Sequence, residues 1–180
     1  MKALLNTMKK SKYGIPEDKL PIFEEIIQRY DGHELEAKFL KAMEENLTNE
    51  QRFRIFEQNG SCQGKKYDKE RMAFAAEHAD KPLGERLKVF TEKHGRKAVL
   101  NDDGTIKVTF ACSHGYYKHA PKGKFHVPES VETYFERCAG GLMYEFQKAL
   151  GVKLKIKSVD VSPLGENITN PVVFTFEKED

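Results

Sequence analysis

The sequence predicts an α+β fold: N-terminal helices, then a hairpin, a long helix and a second hairpin, with about four antiparallel strands covered by that helix. Three observations carry this. Up to Arg96 the apolar residues recur at helical spacing. After Arg96 the period changes to two. One long helical stripe, Val131 to Leu150, then divides the strands into two pairs.

The helices come first in the chain. Lys2 to Lys10 predicts a short helix, broken at Tyr13-Gly14. Pro16 and Pro21 suit first turns, where a missing N–H costs nothing. From Pro21 to Tyr30, Ile22, Phe23, Ile26 and Ile27 make one apolar stripe, which Asp31-Gly32 ends. His33 to Asn46 follows, with Leu35, Phe39, Leu40 and Met43 on one face. Thr48 and Gln51 have the spacing of a capping box, opening a helix that runs to about Gln58. Its buried side is Phe53, Ile55 and Phe56. Asn59-Gly60 is read as the stop, glycine accepting the left-handed conformation of a helix end. Tyr67 to His78 predicts another helix, with Met72, Ala75 and Ala76 apolar. Pro82 opens the last, lined by Leu83, Leu87, Val89 and Phe90 and closed by His94-Gly95. These stripes are core rather than site, and His33, His78 and His94 read as surface or capping residues.

The strands follow. Lys97 to Leu100, the turn Asn101-Asp102-Asp103-Gly104, and Thr105 to Ala111 form a hairpin. Ile106, Val108 and Phe110 face one way, and Cys112 continues that phase. The loop from Ser113 to Pro128 is rich in Lys, His, Gly and Pro. Unstructured loops longer than about 12 residues are usually functional or mobile. Ser130 is the expected N-cap of Val131 to Leu150, whose stripe includes Tyr134, Phe135, Cys138, Leu142 and Phe146. Gly140-Gly141 interrupts that helix at a cost of roughly 1–2 kcal/mol against alanine. A close backbone, a kink or a ligand would offset it. Gly151 caps the helix. Val152, Leu154 and Ile156 alternate with lysines on a wet face, and Val172 to Glu177 is the last strand.

With 180 residues, 39% hydrophobic and 32% charged, the chain is long enough to bury a core without staples. A net charge of +2 gives no argument for nucleic acid. No apolar stretch predicts a membrane span or a signal peptide. Three cysteines, an odd number, predict free thiols in the cytoplasm. No Walker, GxGxxG, HExxH or GxSxG pattern is present.

The chemistry gathers from Thr109 to Gly141. That stretch holds Cys112, Cys138, His114, His119, His126, Tyr116, Tyr117 and Tyr134; Cys62 lies between Gly60 and Gly64. Cys62, Cys112 and Cys138 with His114 are candidate zinc ligands, three thiolates and an imidazole being a set this ion accepts. Cys112 with His114 is also the best nucleophile–base pair for a cysteine- or metal-dependent hydrolase. Tyr117 and Tyr134 are candidate walls of a pocket. Free cysteine also behaves as a small buried hydrophobe, so a structural protein with packed thiols is a third reading.

From Glu50 onward the chain resembles an uncharacterised family of small bacterial cysteine-containing proteins. That family in turn is similar to the 4-vinyl-reductase-like domain and to the L-2-amino-thiazoline-4-carboxylic acid hydrolase-like proteins. The resemblance rests on QRFRIFEQNGSC ending at Cys62, FACS at Phe110 to Ser113, FERCAGGLMYEFQKALG at Phe135 to Gly151, and the terminal VDVSPLGENITNPVVFTF. The family pattern doubles the cysteines at these stations; here Glu136 stands where the first of a Cys-x-Cys pair would be, and Pro171-Val172 replaces the last. The resemblance implies residues 1–47 as a helical extension and 48–180 as an α+β domain. It implies a sensory or accessory module binding a small molecule or a metal ion; the first reading of the residues places its pocket between the long helix and the sheet. Cys62, Cys112, Tyr117, Tyr134 and Cys138 would line that pocket. A homodimer is compatible with this organisation.

Overall fold

The computed structural model of the chain describes residues 1–10, 13–111, 128–166 and 170–179. Six helices come first: α1 Lys2–Met8, α2 Leu20–Arg29, α3 Gly32–Asn46, α4 Asn49–Asn59, α5 Asp68–Glu77 and α6 Leu83–His94. The strands β1 Lys97–Leu100 and β2 Ile106–Phe110 follow, then the long helix α7 Val131–Leu150. Strand β3 Leu154–Asp160, the single turn α8 Pro163–Glu166 and strand β4 Val172–Lys178 complete the chain.

Local chemistry explains most of the boundaries. At the start of α4 the Gln51 amide donates to Thr48 Oγ1 over 3.2 Å, and the Thr48 amide donates to Gln51 Oε1 over 3.0 Å. Both halves of the capping box are therefore made. Gly95 ends α6 at φ 61° and Gly151 ends α7 at φ 64°, conformations that glycine adopts without a Cβ clash. One expectation holds in position only, and one fails. Ser130 occupies the N-cap position of α7 but its side chain makes no cap bond. Helix α5 turns Arg71 and Phe74 inward and leaves Met72 59% exposed, so its apolar stripe is not its buried face.

The sheet runs β1-β2-β4-β3, antiparallel throughout. Val108 stands opposite Ala98 on one side and Phe174 on the other. The inward row Leu154, Ile156, Ile106, Val108, Phe174 and Phe176 packs in one cluster with Phe135, Leu142, Phe146 and Leu150 of α7 and with Phe74, Leu87 and Phe90 of α5 and α6. Each such side chain contributes roughly 1.5–3 kcal/mol on leaving water. A register shift between Ile156 and Ser158 bends edge strand β3. There Glu57 of α4 takes the Ile156 N–H over 2.8 Å.

A second cluster gathers α1 to α4: Leu4, Met8, Phe23, Phe39, Met43, Ile55 and Phe56. Helix α4 stands between the two, since Phe53 packs against the first cluster while Ile55 and Phe56 belong to the second. Tyr134 of α7 touches both. The crossing is backbone on backbone. A Cβ on Gly140 would lie 2.2 Å from the Phe56 carbonyl oxygen, and one on Gly141 would lie 1.6 Å from that of Ser61. Close approach of another backbone thus explains the glycine pair in α7. Gly60 is corrected by the same contact: its φ is −60° with extended ψ, so it is not a left-handed cap. It is glycine because α7 leaves no room for a side chain.

Candidate functional site

The site begins where α4 meets α7. Past Gly60, the Ser61 amide donates to the Arg137 carbonyl over 2.9 Å, and Ser61 Oγ lies 3.5 Å from Cys138 Sγ. Cys62 then takes φ 56°, the positive-φ residue among the described non-glycines, and Gly64 follows at φ 58°. A non-glycine held there costs of order 1–3 kcal/mol, a strain that concentrates at functional sites. The chain then enters a short 3₁₀ turn, Lys65–Tyr67, and Cys62 is left exposed.

Cys62 lines a cavity of about 440 Å³. Gly64 and Tyr67 continue the loop side. Glu70, Arg71 and Phe74 come from α5, Phe90, Lys93 and His94 from α6, Arg96 from the link to β1, and Glu145 from α7. The walls of this cavity are therefore helices, rather than a helix and the sheet.

Glu145 organises the floor. It is 8% exposed and stands against Arg71, which is 7% exposed. Arg71 Nη2 donates to Glu145 Oε2 over 3.1 Å. Arg96 donates through Nε to Oε1 over 2.8 Å and through Nη2 to Oε2 over 2.9 Å, a two-pronged fork. Arg71 Nη1 donates to the Gln63 carbonyl over 2.9 Å, tying the Cys62 loop to the same network. Asp68 accepts from both Arg71 and the Tyr144 hydroxyl, which pins the start of α5 to α7. That hydrogen bond also raises the Tyr144 pKa above its ordinary value. One carboxylate thus holds two guanidiniums in fixed positions, from elements 49 and 74 residues away in sequence.

The other candidates fall elsewhere. Cys138 is buried on α7 against Ser61, and neither it nor Tyr134 is among the described residues of this cavity. Tyr134 packs edge-on to Phe135, ring centres 5.2 Å apart, in the seam between the two clusters. Cys112, His114 and Tyr117, with Tyr116, His119 and His126, lie outside the described residues. So does the convergence of all three cysteines. Among the described residues no three His, Cys, Asp or Glu side chains gather to hold a metal ion, so they do not by themselves make a zinc site.

Glu136 has a structural partner. It is fully buried, and Arg52 forks onto it through Nε and Nη2 over 2.7 and 2.8 Å. Arg52 also donates to the Leu47 carbonyl and to Asn49. Burial raises the Glu136 carboxyl above its ordinary value despite the pull of Arg52.

Sequence reasoning missed Arg71, Arg96 and Glu145. Periodicity could have found one of them: Arg71 sits three residues before Phe74, on the same helical face.

No protein-family model, curated protein or solved structure matches the chain. Among the described residues, no helix is long and apolar enough to cross a membrane.

Proposed function

We propose that the chain is a small-molecule-binding module whose ligand enters the cavity between α5, α6 and α7. One observation carries this: a cavity of about 440 Å³ whose polar groups converge on a rigid centre, the Arg71–Glu145–Arg96 fork. That volume lies in the range of small-ligand sites, which pair apolar walls with a few fixed polar groups. Phe74, Phe90 and Tyr67 supply the apolar edges. The left-handed Cys62 places a thiol at the cavity, consistent with strain kept for use. The role agrees with the sensory or accessory module that the resemblance to the 4-vinyl-reductase-like domain implies. A free thiol at Cys62 supports a cytoplasmic setting.

The test uses Cys62 as a reporter. The full chain is treated with iodoacetamide in the presence of a library of small metabolites, and labelling of Cys62 is followed by peptide mass spectrometry. A ligand for this cavity slows Cys62 labelling and raises Tm, and it has no effect on the unfolded chain. A library that does neither counts against the proposal.

A further inference from the structure

We infer that the ligand is a small organic carboxylate with an apolar body, its charged head held by Lys93 and by the outer nitrogen of Arg96. This rests on the reading that the cavity binds a small molecule, and it names the class.

The donors settle the sign of the head group. Both oxygens of Glu145 are already taken, Oε1 by Arg96 and Oε2 by Arg96 and Arg71. Glu145 therefore orients the guanidiniums and offers little to an entering cation. Arg96 uses Nε and Nη2 on Glu145, which leaves Nη1 with no hydrogen bond among the described residues. Lys93 has no ion pair among the described residues and rests over the Phe74 ring at 5.7 Å. Both side chains belong to the cavity lining and reach solvent. Both cations line the same cavity, and an ammonium with a guanidinium edge suits a carboxylate, since charge-assisted hydrogen bonds are the strong ones.

The charge balance selects a single negative charge. Among the described lining residues, Arg71 is paired by Asp68 and Glu145 and Arg96 by Glu145, which leaves Lys93 as the cation with no ion pair. A monocarboxylate matches that single cation. A phosphate dianion would bring a second charge close to Glu70 and Glu145 without a partner. Phe74, Phe90 and Tyr67 of the lining supply the apolar contact. A body of aromatic or branched aliphatic carbon fits them better than a sugar or a polyol.

The experiment compares matched probes on the full chain. Arylalkanoates from benzoate to phenylbutyrate, their neutral amides and phenyl phosphate are titrated by calorimetry, with Cys62 labelling as the site-specific readout. At least one carboxylate is expected to bind about tenfold more tightly than its amide, the scale of one charge-assisted hydrogen bond. Lys93→Gln, a change at an exposed side chain, should lose that advantage, and Lys93→Arg should restore it. If amides bind as well as acids, if phenyl phosphate binds more tightly, or if Lys93→Gln leaves the affinity unchanged, the assignment is overturned while the cavity's role in binding stands. If no probe binds and no library compound protects Cys62, both fall.

Discussion

A Cβ on Gly60 would lie 2.1 Å from the backbone nitrogen of Gly141, so the two residues touch main chain to main chain where α4 ends on α7. Neither wall of that contact is a flexible side chain that could swing aside. Gly141→Ala, whose Cβ would meet the Ser61 carbonyl, is expected to destabilise by roughly 3 kcal/mol, the upper part of the overpacking range. Alanine at Gly165, where nothing lies within 4 Å of an added Cβ, is the control. Urea midpoints of the two variants check this; equal midpoints would refute the contact.

The Arg52–Glu136 fork should be costly to break on one side and cheap to replace on both. With side chains 4% and 0% exposed, Arg52→Met strands a buried carboxylate and should cost about 3–5 kcal/mol. The double variant Arg52→Met, Glu136→Leu should recover most of that loss. Chemical denaturation of Arg52→Met, of Glu136→Leu and of the double variant completes the cycle, and a double variant no better than Arg52→Met alone would count against the argument.

Glu57 gives a pH dependence with a definite sign. Burial holds its carboxyl above the ordinary value of 4.5; the Ile156 N–H and Arg54 pull it down without overcoming burial, and Glu179 pushes it further up. A carboxyl raised by folding stabilises most below its unfolded pKa, and that contribution fades as pH rises through the folded pKa. Glu57→Gln, which keeps the acceptor for Ile156, cannot ionise. Its stability relative to the parent chain should therefore improve from about pH 4 to about pH 7. A relative loss over that window, in urea melts at each pH, would reverse the sign.

The two described thiols should differ in access. Cys62 is exposed at the cavity, whereas Cys138 is buried against Ser61. In the native chain, peptide mapping after brief alkylation should find Cys62 labelled and Cys138 protected until denaturant is added. Equal labelling would contradict the burial of α7.

The α+β order was legible because local rules act there. Thr48 and Gln51 need only each other to cap α4, and Gly95 and Gly151 need only their own backbone to end α6 and α7. The first hairpin follows likewise from its turn, where the Gly104 amide donates to the Asn101 carbonyl at φ 80°. The cavity was not legible. Arg96 and Glu145 are charged residues that a periodicity argument assigns to water, and only the packing of α5 and α6 on α7 turns them and Arg71 toward one another. Gly60 misled for the same reason: its role is set by a residue 81 positions further along the chain, not by the helix it follows. Cys62 was singled out correctly as a glycine-flanked loop residue, but its left-handed backbone has no signature in the sequence.

Because α4 supplies side chains to both apolar clusters and Tyr134 rests in each, neither cluster keeps an intact wall when the other opens. Melting should therefore be all-or-none across the described chain. Amide exchange in α3 and in β4 would then report one shared opening free energy instead of a soft half and a hard half.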